Sequence, residues 1–167
     1  MKIVAAPVLV EWWTTPAGED LINAVSALSW TPADSLSSTA QLRRHYPDLT
    51  PEILNGTIDL VQARQRAVEK LGPASAHWFL TLAAVQQATP YAVTHYRSRR
   101  LLSSDSTIAQ PIHDATCSVG TEVAALVQAG STGELSGSDI DQARLAMARH
   151  NVPTVAFQEA DCLHPVW

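Results

Sequence analysis

One stretch of this chain, from Gln110 to Asp141, limits the possible folds more than any other part of the sequence. It begins with a short apolar run that contains Asp114 and then breaks into small residues before Gly120. A helix-like run follows, and a second strand-like run leads to Asp139. Strand, small-residue turn, helix, strand and terminal acid is the order of a nucleotide-binding half-fold built on a parallel sheet.

Residues 106–167 as a whole are predicted to alternate strands and helices as a parallel βαβαβ unit. The predicted elements are strand 112–115, helix 120–129, strand 133–138, helix 141–151 and strand 153–158. Each strand carries an acid at or just after its end, namely Asp114, Asp139 and Asp161. Because the carboxyl ends of parallel strands meet at one edge of a sheet, these acids are expected near one pocket.

The small-residue turn and the acids indicate what kind of ligand this pocket would take. A turn of small residues lets backbone N–H groups approach a ligand closely, at the positive end of the following helix. Asp139 lies 19 residues after Gly120, close to the gap of about 20 at which an acid accepts hydrogen bonds from a ribose diol. Three acids would repel a pyrophosphate, so they favour a ligand with a ribose, an adenine and a positive charge.

Residues 1–105 are predicted to be an all-α bundle of about five helices. Thr-Pro pairs at 15–16, 31–32, 50–51 and 89–90 are typical of helix starts, since Thr suits the N-cap and Pro the first helical position. Apolar residues recur at helical spacing after them, most clearly over 54–71. Further helices are predicted at 37–46, 81–87 and 90–102, and Ser103 to Ser106 is predicted to be a linker.

Basic residues cluster twice in this helical part. Arg64, Arg66 and Lys70 lie opposite the apolar stripe of the long helix and are expected to form a solvated face. The denser cluster, Arg97, Arg99 and Arg100, precedes the α/β part. It is interpreted either as a solvated surface or as a binding site for RNA or another polyanion. Residues 106–167 carry two Arg and seven acids, which argues against nucleic acid lying directly on them.

Composition sets the outer bounds of the class of protein. Hydrophobic residues make up 46% of the chain and charged residues 16%, which favours a packed globular protein. No apolar run approaches the roughly 20 residues needed to span a bilayer. The start resembles a secretion signal only weakly, because two Trp residues stand where small residues are expected. Two Cys and six scattered His show no metal-binding spacing. We therefore expect a cytoplasmic protein without membrane contact.

The motifs resemble those of class I S-adenosylmethionine-dependent methyltransferases, particularly the RNA-modifying branches. Residues 114–121, DATCSVGT, are similar to their first motif, Asp-x-x-Cys-Gly-x-Gly-Thr. Residues 137–141, GSDID, with Ala146, Ala148 and Asn151 after them, resemble the second. Residues 159–162, EADC, resemble the third, an acid after the third strand. The helical part, with its Leu-Arg-Arg and Gln-Ala-Arg segments, is similar to that of bacterial THUMP-like methyltransferases.

The resemblance implies a fold, a cofactor and a role for each matching residue. The fold is a helical bundle followed by a partial, three-strand Rossmann-like half-fold, and the cofactor is S-adenosylmethionine. Asp114 and the turn would hold the cofactor's amino-acid end, Asp139 the ribose hydroxyls, and Asp161 with the Cys162 backbone the adenine. The turn residues in these roles are Thr116, Cys117, Ser118 and Gly120. Ser118 replaces the family's glycine, which tightens the backbone approach, and Cys117 is expected to be a small buried residue rather than a nucleophile.

The family's catalytic motif follows a fourth strand, and no such Pro-containing tetrapeptide occurs in this sequence. Only 62 residues remain from Ser106 onward, room for three strands where the family has seven. In the family's strand order, 3-2-1-4-5, the first strand would then be an edge with unpaired N–H and C=O groups. We therefore expect the N-terminal portion of a longer enzyme, no catalytic residue within it, and a homo-oligomer formed through the uncovered edge.

Two other functions stay open from the sequence. The helical part alone could bind RNA or a protein, with the α/β part as its support. A nicotinamide-dependent oxidoreductase is the third possibility, but the full Gly-x-Gly-x-x-Gly is missing and only Gly120 stands in the turn. The leading prediction is a methyltransferase portion acting on RNA, which by itself binds the cofactor weakly and catalyses nothing.

Overall fold

The computed structural model describes residues 7–103 and 109–164, and over these ranges the chain is mixed α/β with eight α-helices and a three-stranded parallel sheet. The first helices are α1 (Pro7–Trp13), α2 (Pro16–Ser26), α3 (Ser35–His45), α4 (Pro51–Leu71), α5 (Leu82–Gln87) and α6 (Tyr91–Leu101), with a 3₁₀ turn at Pro73–His77. The later elements are β1 (Ile112–Asp114), α7 (Thr121–Gln128), β2 (Leu135–Asp139), α8 (Gln142–Asn151) and β3 (Ala156–Glu159). No helix within the described ranges is both long and apolar enough to cross a membrane. The predicted linker lies outside them from 104 onward.

Two of the four Thr-Pro pairs begin helices as predicted. The hydroxyls of Thr15 and Thr50 accept hydrogen bonds from the N–H three residues on, at 3.1 and 3.4 Å, before α2 and α4. The pair at 89–90 stands just ahead of α6, which begins at residue 91. The pair at 31–32 lies in a turn instead, since the Thr31 hydroxyl donates to the Asp34 carboxylate at 2.6 Å and α3 begins only at Ser35.

The sheet has the predicted parallel arrangement, with strand order β1-β2-β3. His113 pairs with Ser136, and Ser138 pairs with Gln158. Strand β1 is therefore at an edge of the described sheet, as the family order predicts. The third strand begins at Ala156 rather than at the predicted 153, because residues 152–155 form a turn in which Val155 N–H donates to the Val152 carbonyl at 3.1 Å.

The two faces of the sheet differ in polarity. Phe157 belongs to a buried cluster with side chains of α7 and α8, and a Cβ on Gly137 would stand 2.9 Å from its ring. Glycine at this position thus lets the aromatic ring lie against the strand. On the opposite face the His113 ring bonds the hydroxyls of Ser136 and Ser138, at 2.8 and 2.9 Å. The helices α7 and α8 therefore cover the apolar face, while a polar row occupies the other.

The helical and α/β parts share one hydrophobic core. Side chains of the first helices pack with Val119 and Met147 in a single buried cluster. Trp13, which is 1% exposed, lies in that cluster and donates its indole N–H to the Thr57 hydroxyl at 2.9 Å, so it is a large side chain of this core. The division into domains at 1–105 and 106–167, and the bundle as a separate unit, stay predictions, and this core extends across the boundary.

The prediction that Arg64, Arg66 and Lys70 form a solvated face of α4 is wrong in part. Arg66 is exposed, but Arg64 donates to the carbonyls of Trp78 and His77 at 2.8 and 3.0 Å. Lys70 likewise donates to two carbonyls at the end of α5, both at 2.8 Å. These long side chains satisfy backbone carbonyls that end helical turns, a role that periodicity along α4 does not reveal.

Candidate functional site

The turn between β1 and α7 has a strained backbone held by hydrogen bonds. Cys117 N–H donates to the Ser138 carbonyl on β2 at 2.8 Å, and Gly120 N–H donates to the Cys117 carbonyl at 2.8 Å. Ser118 has φ 50° and Gly120 has φ 86°, so both lie in the left-handed region. Glycine adopts this conformation without penalty, whereas Ser118 adopts it at a cost. The turn is therefore anchored to the sheet just ahead of the helix N-terminus.

The Asp139 carboxylate, at the end of β2, is hydrogen-bonded to this turn. Its carboxylate accepts hydrogen bonds from Ser118 N–H at 2.9 Å and from Asp141 N–H at 3.0 Å. Only 8% of the residue is exposed. Both donors are backbone N–H groups in the segments that follow β1 and β2. The carboxylate therefore ties the β1–α7 turn to the start of α8. The partners that the structure shows for Asp139 are thus parts of the fold, and its predicted contact with ribose stays a proposal.

Asp114 ends β1 in an environment that disfavours its charge. Partial burial raises the pKa of the Asp114 carboxyl, and the nearby carboxylates of Glu122 and Asp139 raise it further. The backbone N–H of Thr116, which donates to it at 3.2 Å, acts in the opposite direction. A half-buried acid with two acidic neighbours is stabilised by a bound cation. The ammonium at the amino-acid end of the predicted cofactor is such a cation.

A cavity of about 340 Å³ opens beside this turn. Four predicted site residues line it, namely Asp114, Thr116, Cys117 and Ser118. Its other wall comes from the helical part and includes Gln87, Thr89 and Arg97, while Glu122 and Arg144 complete it. The N-terminal helices are therefore part of the site, although no motif in them indicated this from the sequence.

The remaining residues predicted to bind the cofactor do not line this cavity within the described ranges. Gly120 is buried at the start of α7, where a Cβ would stand 3.2 Å from the Val152 side chain. Asp161 and Cys162 are exposed beyond the end of β3. The Asp161 carboxylate accepts a hydrogen bond from Leu163 N–H at 2.9 Å, as in a turn. Ala160 N–H donates to the Asp139 carbonyl at 3.2 Å, so this segment adjoins the end of β2.

Cys117 has the environment predicted for a small buried residue. It is 2% exposed, and burial, with the Asp114 and Asp139 carboxylates, raises the pKa of its thiol to about 12. The thiol stays protonated at neutral pH and is therefore a poor nucleophile. Asp141, in turn, is the N-cap of α8, where its carboxylate accepts from the N–H groups of Ala143 and Arg144 at 2.9 and 3.2 Å.

The three arginines of the predicted RNA site are all exposed on α6. Arg97 forms an ion pair with Glu122 of α7 at 2.9 Å and lines the cavity described above. With Arg100 it also lines a larger hollow of about 620 Å³ between α6 and the open edge of β1. Arg99 lines neither. Glu122, which the motifs did not indicate, is thus the residue that links α6 to the turn.

Together, a parallel sheet, a tight turn into a helix and acids after successive strands are the features of a partial Rossmann-like fold. The chain is similar to two mycobacterial proteins, each named as an uncharacterized S-adenosylmethionine-dependent methyltransferase. They come from Mycobacterium tuberculosis strains CDC 1551 / Oshkosh and ATCC 25618 / H37Rv. Each is 40% identical over 134 residues, which cover 75% of this chain.

The chain spans about a third of the length of these curated relatives, since the match covers 34% of each. No protein-family model matches the chain, and no solved structure does. The relatives support the resemblance to S-adenosylmethionine-dependent methyltransferases that the motifs predict. The THUMP-like branch and the RNA target stay predictions.

Proposed function

We propose that this chain is the cofactor-binding part of an S-adenosylmethionine-dependent methyltransferase. The observation that carries the proposal is the cavity after β1, where Asp114, an acid that favours a bound cation, stands beside the backbone turn at 116–120. The names of the mycobacterial relatives support the same conclusion. The cofactor's sulfonium would supply an electrophilic methyl group, and the residues of this chain would bind and orient it.

Four of the predicted residues line one cavity, and the proposal gives each predicted residue a part in binding this cofactor. Asp114 would hold the ammonium of the amino-acid end, and the turn that contains Ser118 would pack closely against it. Asp139, whose two oxygens each already accept one backbone N–H, would contact the ribose through its remaining lone pairs. Asp161 and the backbone of Cys162 would flank the adenine at the adjoining strand end.

Calorimetry with S-adenosylhomocysteine tests the proposal directly. We expect weak binding by the folded chain, because the cavity encloses one end of the ligand. The Asp114→Asn variant should weaken it several-fold, since it removes a charge-assisted hydrogen bond. Glu134→Gln is the matched control, because it removes the same charge from an exposed residue at the other end of β2. A folded wild-type chain that releases no heat at millimolar ligand would contradict the proposal.

We further propose RNA as the methyl acceptor, with the exposed arginines of α6 as its contact. The cluster of Arg97, Arg99 and Arg100 is positive, whereas the α/β part carries the net negative charge. An Arg99→Gln/Arg100→Gln double variant should lower RNA affinity and flatten its salt dependence, as measured by fluorescence anisotropy. Unchanged affinity would exclude this surface. RNA binding in a chain that never binds cofactor would favour the alternative, an interaction module.

The open edge of β1 supports a third proposal, a homo-oligomer. In the described sheet β1 pairs only with β2, and an edge strand can pair with a second chain. We expect light scattering to give the mass of a dimer or larger assembly that dissociates on dilution. A well-soluble monomer at all concentrations would refute it.

A further inference from the structure

Arg97 differs from its two neighbours on α6 in where its side chain lies. Its Nη1 donates to Glu122 Oε1 at 2.9 Å, and Glu122 is in the first turn of the helix that follows Gly120. This bond uses one of the five N–H donors of the guanidinium. The side chain remains 62% exposed and lines the 340 Å³ cavity. Arg97 therefore presents further donors to that space while Glu122 limits its movement.

The cavity has opposite charges on its lining. Asp114 and Glu122 supply carboxylates, and Arg97 and Arg144 supply guanidinium groups, with Glu122 paired to Arg97. Arg144 is already engaged, with its Nε 3.5 Å from the Asp141 carboxylate and its Nη2 3.4 Å from the Gln87 side-chain oxygen. Arg97 is the more exposed of the two cations, since 62% of its side chain is accessible against 33% for Arg144. Asp114 has no ion-pair partner in the described structure, and Arg97 keeps further N–H donors beyond its bond to Glu122. This combination matches an α-amino acid, which carries an ammonium and a carboxylate on the same carbon.

We propose that Arg97 binds the carboxylate of the cofactor's α-amino acid end while Asp114 binds its ammonium. The inference rests on the proposed function and assigns Arg97 to cofactor rather than to RNA. This assignment also gives the N-terminal helices a role in the site, because Arg97 lies on α6 and the motifs at the strand ends contain no cation. Arg99, which lines neither cavity, remains available for a polyanion.

A pair of ligands that differ only in the carboxylate tests this assignment. Calorimetry would compare S-adenosylmethionine with decarboxylated S-adenosylmethionine on the wild-type chain and on Arg97→Met. The substitution should weaken S-adenosylmethionine roughly tenfold, the scale of one charge-assisted hydrogen bond. It should change the affinity for the decarboxylated ligand by less than about twofold, the limit expected of screened charges at a distance. Arg99→Met, which makes the same charge change on the same helix, should alter neither, and Asp114→Asn should weaken both.

The outcomes separate this inference from the proposed function. Equal weakening of both ligands by Arg97→Met, or no weakening of either, would overturn the role of Arg97 and leave cofactor binding intact. A folded wild-type chain that binds neither ligand would contradict the proposed function and this role with it. Circular dichroism verifies folding, and Arg97→Lys is a second variant. Lysine keeps the positive charge but lacks the planar guanidinium that can bind a carboxylate through two N–H groups. Arg97→Lys should therefore recover part of the preference for S-adenosylmethionine over the decarboxylated ligand.

Discussion

At the scale of single residues, the partial burial of Asp114 favours a bound cation and also opposes ionisation of the Asp114 carboxyl in the folded chain. Its folded pKa is raised above the ordinary value, so its contribution to stability is fully present below the unfolded pKa, about 4, and is lost as pH rises through the folded pKa. Ionised Asp114 therefore destabilises the fold at neutral pH.

Asp114→Asn should accordingly unfold at higher urea concentration than the wild type at pH 7, because asparagine keeps the acceptor for Thr116 N–H without the charge. The advantage should shrink as pH falls below about 4, where the wild-type carboxyl is protonated in both states. Urea titrations at several pH values measure this difference, with Glu134→Gln as the control. A variant less stable than wild type at pH 7 would show that the carboxylate supports the fold.

The two cysteines should differ sharply in reactivity. Burial and two carboxylates raise the pKa of the Cys117 thiol to about 12, while Cys162 is exposed. In the native chain at pH 8, a disulfide reagent such as dithionitrobenzoate should titrate one thiol quickly and the second only after unfolding. Cys162→Ser should remove the fast phase. A fast phase that survives this substitution would mean that Cys117 is accessible.

At the scale of the elements, the strain in the β1–α7 turn is concentrated at Ser118 and Gly120. Ser118→Gly should stabilise the chain by about 0.5 to 1 kcal/mol. The substitution removes the cost of the left-handed conformation for serine, and the extra backbone entropy that glycine loses on folding offsets part of this gain. Gly120→Ala should cost about 1 to 2 kcal/mol, because alanine would carry the same penalty and meet Val152 at 3.2 Å. Urea unfolding measures both changes. Equal effects of one sign would contradict the strain at Ser118.

The elements also differ in how far the sequence predicted them. The order of strands and helices is confirmed, because alternation of apolar runs and small-residue breaks is a local signal. Thr15 and Thr50 cap helices as predicted, whereas the Thr31 hydroxyl accepts from Asp34 N–H at 3.3 Å within a turn, and the helix begins only at Ser35. The solvated face assigned to Arg64 and Lys70 is wrong, because their partners are carbonyls more than ten residues away in the chain.

At the scale of the whole molecule, Asn151 joins the helical part to the turn in addition to the Arg97–Glu122 pair. Asn151 accepts from Phe79 N–H at 2.7 Å and donates to the carbonyls of Phe79 and Val119, each at 3.0 Å. The Phe79 ring also stacks on His150, with centroids 3.6 Å apart. The second motif included Asn151 without giving it a role, and its contacts show that it holds the turn against the N-terminal helices.

Asn151→Ala should destabilise the chain by about 2 to 4 kcal/mol, since it leaves part-buried backbone groups without partners. It should also weaken cofactor binding, because the turn at Val119 loses a contact with the helical part. Thermal unfolding measures the first effect and calorimetry the second. Asn23→Ala on the exposed side of α2 is the control. Stability equal to that of the control would show that the two parts are held together without this bridge.

The sequence by itself determined the α/β order, the turn and the acids, because each depends on residues near one another in the chain. The motifs also predicted a cofactor class that the relatives' names support. Only the tertiary structure decided which residues share the cavity, since it brings α6 against α7 and α1 against α8. Arg97 and Asp114 line the same cavity although no local pattern in the sequence relates them, because the packing of one shared core brings their elements together.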